Sequence, residues 1–125
     1  MAFTHTHTRN FSNGASTVTS SISYSGSSEV NIDETIAIGT DTQVNFPVDV
    51  SELVSLYMMA DEDCTIEVNS GSSPTKTITL EADEAYVWPS GGNTSPLGAS
   101  DVTALYVTNA AEVNLYVRAL VDATP

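Results

Sequence analysis

The stretch Leu56-Tyr57-Met58-Met59-Ala60-Asp61-Glu62-Asp63-Cys64-Thr65-Ile66-Glu67-Val68 is echoed by Leu105-Tyr106-Val107-Thr108-Asn109-Ala110-Ala111-Glu112-Val113-Asn114-Leu115-Tyr116-Val117. Each copy opens on Leu-Tyr, crosses a short polar turn, sets an acid before an apolar residue and then alternates apolar with polar. A period of two is that of a strand with one buried face, and the polar break reverses the chain, so each copy is expected to form a β-hairpin. Two such units in a short chain predict a small antiparallel sandwich.

The flanking sequence continues the pattern. Val18, Ile22 and Tyr24 share one parity, Ser25-Gly26-Ser27-Ser28 reads as a turn, and Val30, Ile32, Ile36 and Ile38 resume the period, with Glu34 marking a bulge or an exposed sheet end. Gly39-Thr40-Asp41 reads as the next turn, before Val44, Phe46, Val48 and Val50. Pro47 lacks a ladder donor, so its strand is expected to lie at an edge or to turn outward there. Ser51 to Val54 is the one plausible helical turn, with Ser51 as its N-cap. Ile78 and Leu80 mark a strand, Glu81 to Glu84 an acidic turn, and Pro89 to Pro96 a projecting loop.

The opening residues, Thr4-His5-Thr6-His7-Thr8-Arg9, are β-prone but offer no apolar stripe, so residues 1–14 are expected to be an arm or an edge strand that pairs on assembly. The expected fold is all-β, a single antiparallel β-sandwich or jelly roll over residues 15–125, with about eight to nine short strands.

Charge and composition narrow the function. With 3 Lys and Arg against 16 Asp and Glu, the net charge is −13 in a chain of 125 residues. Phosphate binding needs clustered bases, so neither nucleic acid nor an anionic membrane is an expected partner. Mixed Lys/Glu helix faces are missing, and abundant Thr and Val favour strands. The single cysteine, Cys64, excludes an intramolecular disulfide and sits in an apolar alternation, as a small buried hydrophobe would. The first residues lack the basic and apolar regions of a signal peptide, so folding in a cytoplasm is expected.

No catalytic residue and no cofactor is expected. There is no Gly-x-Ser-x-Gly elbow, both histidines lie in the arm, and no Gly-rich loop precedes a Lys-Ser or Lys-Thr pair. His5 and His7 would share a strand face but lack a third ligand, and the acids at 61–63 and 81–84 lack the spacing of a calcium loop, so no metal is expected. Partner contacts are expected instead from His5, His7, Arg9 and Phe11 in the arm, from Tyr86 and Trp88 as an aromatic platform, and from Asn109, Ala110 and Ala111. The small, near-neutral tip at 109–111 suits a packed contact, and the acidic tip at 61–63 suits solvent or ions.

The runs Val30-Asn31-Ile32-Asp33-Glu34-Thr35-Ile36, Asp41 to Phe46, Leu56 to Asn69, Trp88-Pro89 and Leu105 to Asn109 together resemble small β-rich virion proteins of tailed bacteriophages. The resemblance runs from about residue 16 onward and consists of strand patterns, with no catalytic residues to carry over. It implies a structural role such as capsid decoration (cement): a homo-oligomer, dimer or trimer, bound to the major capsid protein on the outer surface of the virion. The alternative is a carbohydrate- or receptor-binding sandwich in a phage tail or fibre, using Tyr86 to Pro96.

Overall fold

The computed structural model describes residues 3–89, 97–98 and 101–122. Ten strands follow in chain order: β1 Phe3–Ser12, β2 Thr17–Gly26, β3 Ser28–Ile36, β4 Gly39–Val48, β5 Leu53–Ala60, β6 Cys64–Val68, β7 Thr77–Leu80, β8 Tyr86–Pro89, β9 Val102–Asn109 and β10 Val113–Val121. Eight of them form two four-stranded antiparallel sheets, β3-β10-β5-β8 and β4-β9-β6-β7, and β1 and β2 form a two-stranded sheet of their own among the described residues. Successive strands from β3 onward switch between the two sheets, except β6 and β7, which pair within one sheet; this is the order of a jelly roll built from two Greek keys. The all-β sandwich read from the sequence is present.

The repeated Leu-Tyr units are arches, not hairpins. β5 lies in one sheet and β6 in the other, and β9 and β10 divide in the same way. Alternation specifies which face of a strand is buried, but not which sheet holds its hydrogen-bonding partner. Leu56, Met58 and Ala60 therefore face Cys64, Ile66 and Val68 across the core instead of lying beside them, and Leu105 and Val107 face Val113, Leu115 and Val117. The pairing is crossed: β6 pairs with β9 and β5 with β10, so each unit is zipped to the other one. All these side chains are buried, and a buried Val, Leu or Ile is worth about 1.5–3 kcal/mol.

β4 is an edge strand, as Pro47 requires, and its register slips between Asn45 and Val48 while Phe46 stays fully buried. Glu34 marks no bulge, because β3 and β10 pair without a break from Ser28 to Ile36. It shares the parity of the buried Ile32 and Ile36 but sits on an edge strand, where the sandwich is open and a charge can reach water. The helical turn is a 3₁₀ turn over Val50–Glu52, capped by Asp49 and not by Ser51: Asp49 Oδ1 accepts the Ser51 backbone N–H at 3.0 Å and its hydroxyl at 2.6 Å. A carboxylate two residues earlier reaches the free N–H that a capping Ser51 would have left bare.

β1 and β2 form a ribbon in unbroken register from Phe3↔Gly26 to Ser12↔Thr17. The expected arm boundary at residue 14 thus falls in the turn of this ribbon, at Gly14 with φ 87°. Val18 and Ile22, read as sandwich-strand residues, belong to the ribbon and are exposed.

Candidate functional site

The ribbon has two unlike faces. On one, Thr6 and Ser23, Thr8 and Ser21, and Asn10 and Thr19 pair through side-chain hydrogen bonds of 2.9, 3.1 and 2.9 Å. Such Thr/Ser cross-strand pairs hold a two-stranded ribbon together where no core supports it. The other face carries Phe3, His5, His7, Arg9 and Phe11 opposite Gly26, Tyr24, Ile22, Ser20 and Val18.

The first half of this second face lies on the outer side of the β3-β10-β5-β8 sheet. Gly26 packs directly on Leu120 and the Val121 carbonyl, and the Ser27 N–H donates to that carbonyl at 2.9 Å. Leu120 and Ser55, neighbours on the outward side of β10 and β5, are fully buried there. His5 Nε2 donates to Glu29 Oε2 at 2.6 Å, and this bond holds the Glu29 carboxyl below its usual range. His7 meets Tyr24 edge to face at 5.5 Å, and its Nδ1 is buried with no partner among the described residues. Burial, then the charges of His5 and Arg9, lower the His7 pKa.

Two clefts run beneath the ribbon. One, of about 380 Å³, lies between His5 and His7 above and Glu29, Asn31, Tyr57 and Arg118 below. The other, of about 400 Å³, lies between Arg9, Ser20 and Ile22 above and Val87 and Trp88 below. The ribbon therefore crosses the sheet from β3 towards β8. From Thr8 to Ser23 every residue is exposed, including Phe11 at 60%, Val18 at 64% and Ile22 at 51%, all on the face that would have to rest on something.

The arm residues His5, His7, Arg9 and Phe11 are brought onto one face, with the histidines spent on docking the ribbon and Arg9 and Phe11 carried beyond it. Tyr86 and Trp88 share one face of β8, opposite Met58 and Leu56; Tyr86 is exposed, whereas Trp88 is partly buried against the core. Pro89 ends β8, and residues 90–96 of the expected loop lie outside the described residues.

Asn109 faces inward: its Nδ2 donates to the carbonyls of Ile36, Ala37 and Ala111 at 3.1, 3.2 and 2.7 Å. It ties the arch between β9 and β10 to the end of β3 and is not available to a partner, which leaves Ala110 and the half-buried Ala111 at that tip. The acidic tip is likewise structural. Asp61 accepts the Asn114 backbone and side-chain N–H groups at 2.8 and 2.7 Å, and Asp63 accepts the Ala82 N–H at 2.8 Å. Among the described residues, no three His, Cys, Asp or Glu side chains converge as a metal site would require.

A further signal is legible in the chain once the ribbon is seen. Residues 1–28 contain no acid at all but hold Arg9 and both histidines, while all 16 acids lie from Glu29 onward with only Lys76 and Arg118 among them. Ribbon and body have opposite electrostatic character.

No family model and no curated protein matches the chain. Among solved structures it is similar to a chain of Bacillus endospore appendages, described as forming a novel family of disulfide-linked pili, with 17% identity, a TM-score of 0.48, and coverage of 77% of this chain and 87% of that one.

Proposed function

We propose that the protein is a non-enzymatic structural protein of a virion, a capsid decoration (cement) protein that binds the outer shell of a tailed phage through the major capsid protein. The observation that carries this reading is the ribbon: an acid-free β-arm held at its root and extended with an uncovered apolar face. A strand pair of that kind gains most of its stabilisation from a surface that completes it. The jelly roll beneath is a scaffold shared by many capsid and lectin domains, so it agrees with the reading without deciding it. The strand patterns that resemble phage virion proteins point the same way. The alternative, a receptor- or carbohydrate-binding module, has less support, because Trp88 is engaged with the core.

Copy number and location test the proposal. Labelling of purified particles should find hundreds of copies spread over the shell; a few copies confined to a tail would overturn it in favour of the receptor module. Removing residues 1–26, which takes away the ribbon whole, should abolish particle binding while the body still melts cooperatively. Removing 1–12 alone would leave β2 without its partner.

A further inference from the structure

The outer end of the ribbon leaves Phe11 and Val18 exposed, 60% and 64%, beyond the cleft that separates Arg9 and Ile22 from Val87 and Trp88. In the sheet order β3-β10-β5-β8, the ribbon is rooted beside β3, and its middle, at Arg9, Ser20 and Ile22, passes over Val87 and Trp88 on β8. The sandwich is most open on the opposite side. There β3 and β4, nine and ten residues long, are both edge strands whose outer backbone groups have no strand partner among the described residues, whereas the other edges, β7 and β8, are four residues each. Long uncovered edges are templates for pairing with another chain.

Between β3 and β4 runs a groove of about 850 Å³, lined by Ile32, Glu34 and Ile36 on one side and Thr42 and Val44 on the other. Glu34 places its carboxylate on the inward parity of an edge strand, and Ile38, 68% exposed, stands at the turn that closes the groove. The groove therefore offers an acid, an exposed aliphatic side chain and free strand edges. The ribbon tip offers a base, Arg9, an apolar strip of Phe11, Val18 and Ile22, and free edges of its own. Tip against tip would oppose Arg9 to Arg9; tip against groove opposes base to acid and aliphatic to aliphatic.

We propose that the ribbon tip of one copy docks in the β3/β4 groove of a second copy, with Arg9 facing Glu34 and Phe11 and Val18 covering Ile38. Donor and acceptor lie at opposite edges of one sheet, so the contact is heterologous. Copies joined in this way form a ring if the rotation closes and an open chain if it does not. This contact does not rest on the capsid reading, since it needs only copies of the chain.

The full chain should show a mass above the monomer in sedimentation equilibrium, rising with concentration and falling with salt. Phe11→Ser with Val18→Ser, and separately Ile38→Ser, should each weaken association at least tenfold while the melting transition is unchanged. Arg9→Glu and Glu34→Lys should each weaken it, and a mixture of the two single variants should recover association as alternating copies, because each tip then meets an opposite charge in the other variant's groove. For geometry, copies carrying Phe11→Cys and copies carrying Ile38→Cys should cross-link to each other on mild oxidation, Cys64 being buried. A wild-type chain that stays monomeric, dominant linkage between two copies that both carry Phe11→Cys, or association indifferent to Ile38 and Glu34 would each overturn the proposal. A chain that is monomeric alone yet coats particles would overturn it while leaving the capsid reading in place.

Discussion

Gly26 is where the ribbon is fastened to the body, and replacing it with Ala should lift the ribbon without unfolding the sandwich. A Cβ at this position would lie 2.6 Å from the Val121 carbonyl oxygen, 2.9 Å from Leu120 Cγ and 3.0 Å from Leu120 Cδ1. The nearest of these is backbone within a central strand, which cannot give way cheaply, and overpacking of this kind costs about 1–3 kcal/mol. The docked ribbon has little to set against that cost. Cover for Leu120 is worth about 1.5–3 kcal/mol. The His5–Glu29 contact, partly open to water, adds at most about 1 kcal/mol. Ordering the ribbon opposes both gains. The substitution should therefore shift the ribbon towards its undocked form about fivefold to a hundredfold. An undocked two-stranded ribbon is marginal by itself, so amides across residues 3–27 should exchange faster by the same factor. The amides of β9 and β10 should keep their protection, and Ser25→Ala, on the exposed face next door, should change nothing. Unchanged exchange across 3–27 in Gly26→Ala would refute the argument, and so would loss of protection throughout the sandwich.

Asn109→Ala strips three carbonyls of their shared donor at a buried site and should destabilise the fold by about 2 kcal/mol, or roughly 8 °C in Tm for a chain of this length, which a thermal melt reads directly. Asp61, bound by the backbone and side chain of Asn114, has its pKa lowered from the ordinary 3.8, so its contribution is present above that value and lost as the pH falls through the folded-state pKa. Denaturant titrations of wild type and Asp61→Asn should differ near neutrality and converge in acid; a gap that is constant with pH would show that the carboxylate charge is not involved. Burial, then Asp63 and Asp61, push the Cys64 thiol up to about 11, so an aromatic disulfide reagent should leave the native protein unlabelled at about pH 8 and react promptly once it is unfolded. Rapid labelling under native conditions would contradict the burial of β6.

The strands themselves were legible in the chain because alternation is a local property. Leu56, Met58 and Ala60, or Val113, Leu115 and Val117, can only be buried together if the backbone is extended, whatever else the fold does. Pro47 at an edge, Cys64 in the core and the β-prone character of residues 4–9 follow from equally local rules. The candidate surface was legible only in part. His5, His7, Arg9 and Phe11 alternate visibly along one strand, but Val18 and Ile22 read as core until β2 is seen to pair with β1 alone. The alternation that buries Ile66 also describes Ile22, because a period of two says that one face is apolar and not that anything covers it. The absence of acids before Glu29 was a usable signal, since it is a property of the sequence that needs no coordinates.

The sequence by itself determined that the chain is built of strands, which faces of the core strands are buried, and that all 16 acids lie from Glu29 onward; it placed a turn at Gly39 to Asp41, which lie in β4. Tertiary structure decided that the Leu-Tyr units are arches, that Asp61 and Asn109 are fastenings, and that the ribbon tip and the β3/β4 groove lie at opposite edges of one sheet. The reason is one of range. Side-chain parity is settled by neighbours two residues away, whereas a strand's partner is chosen among segments up to about ninety positions distant, as when Ser28 meets Val121, by the joint fit of two complete faces.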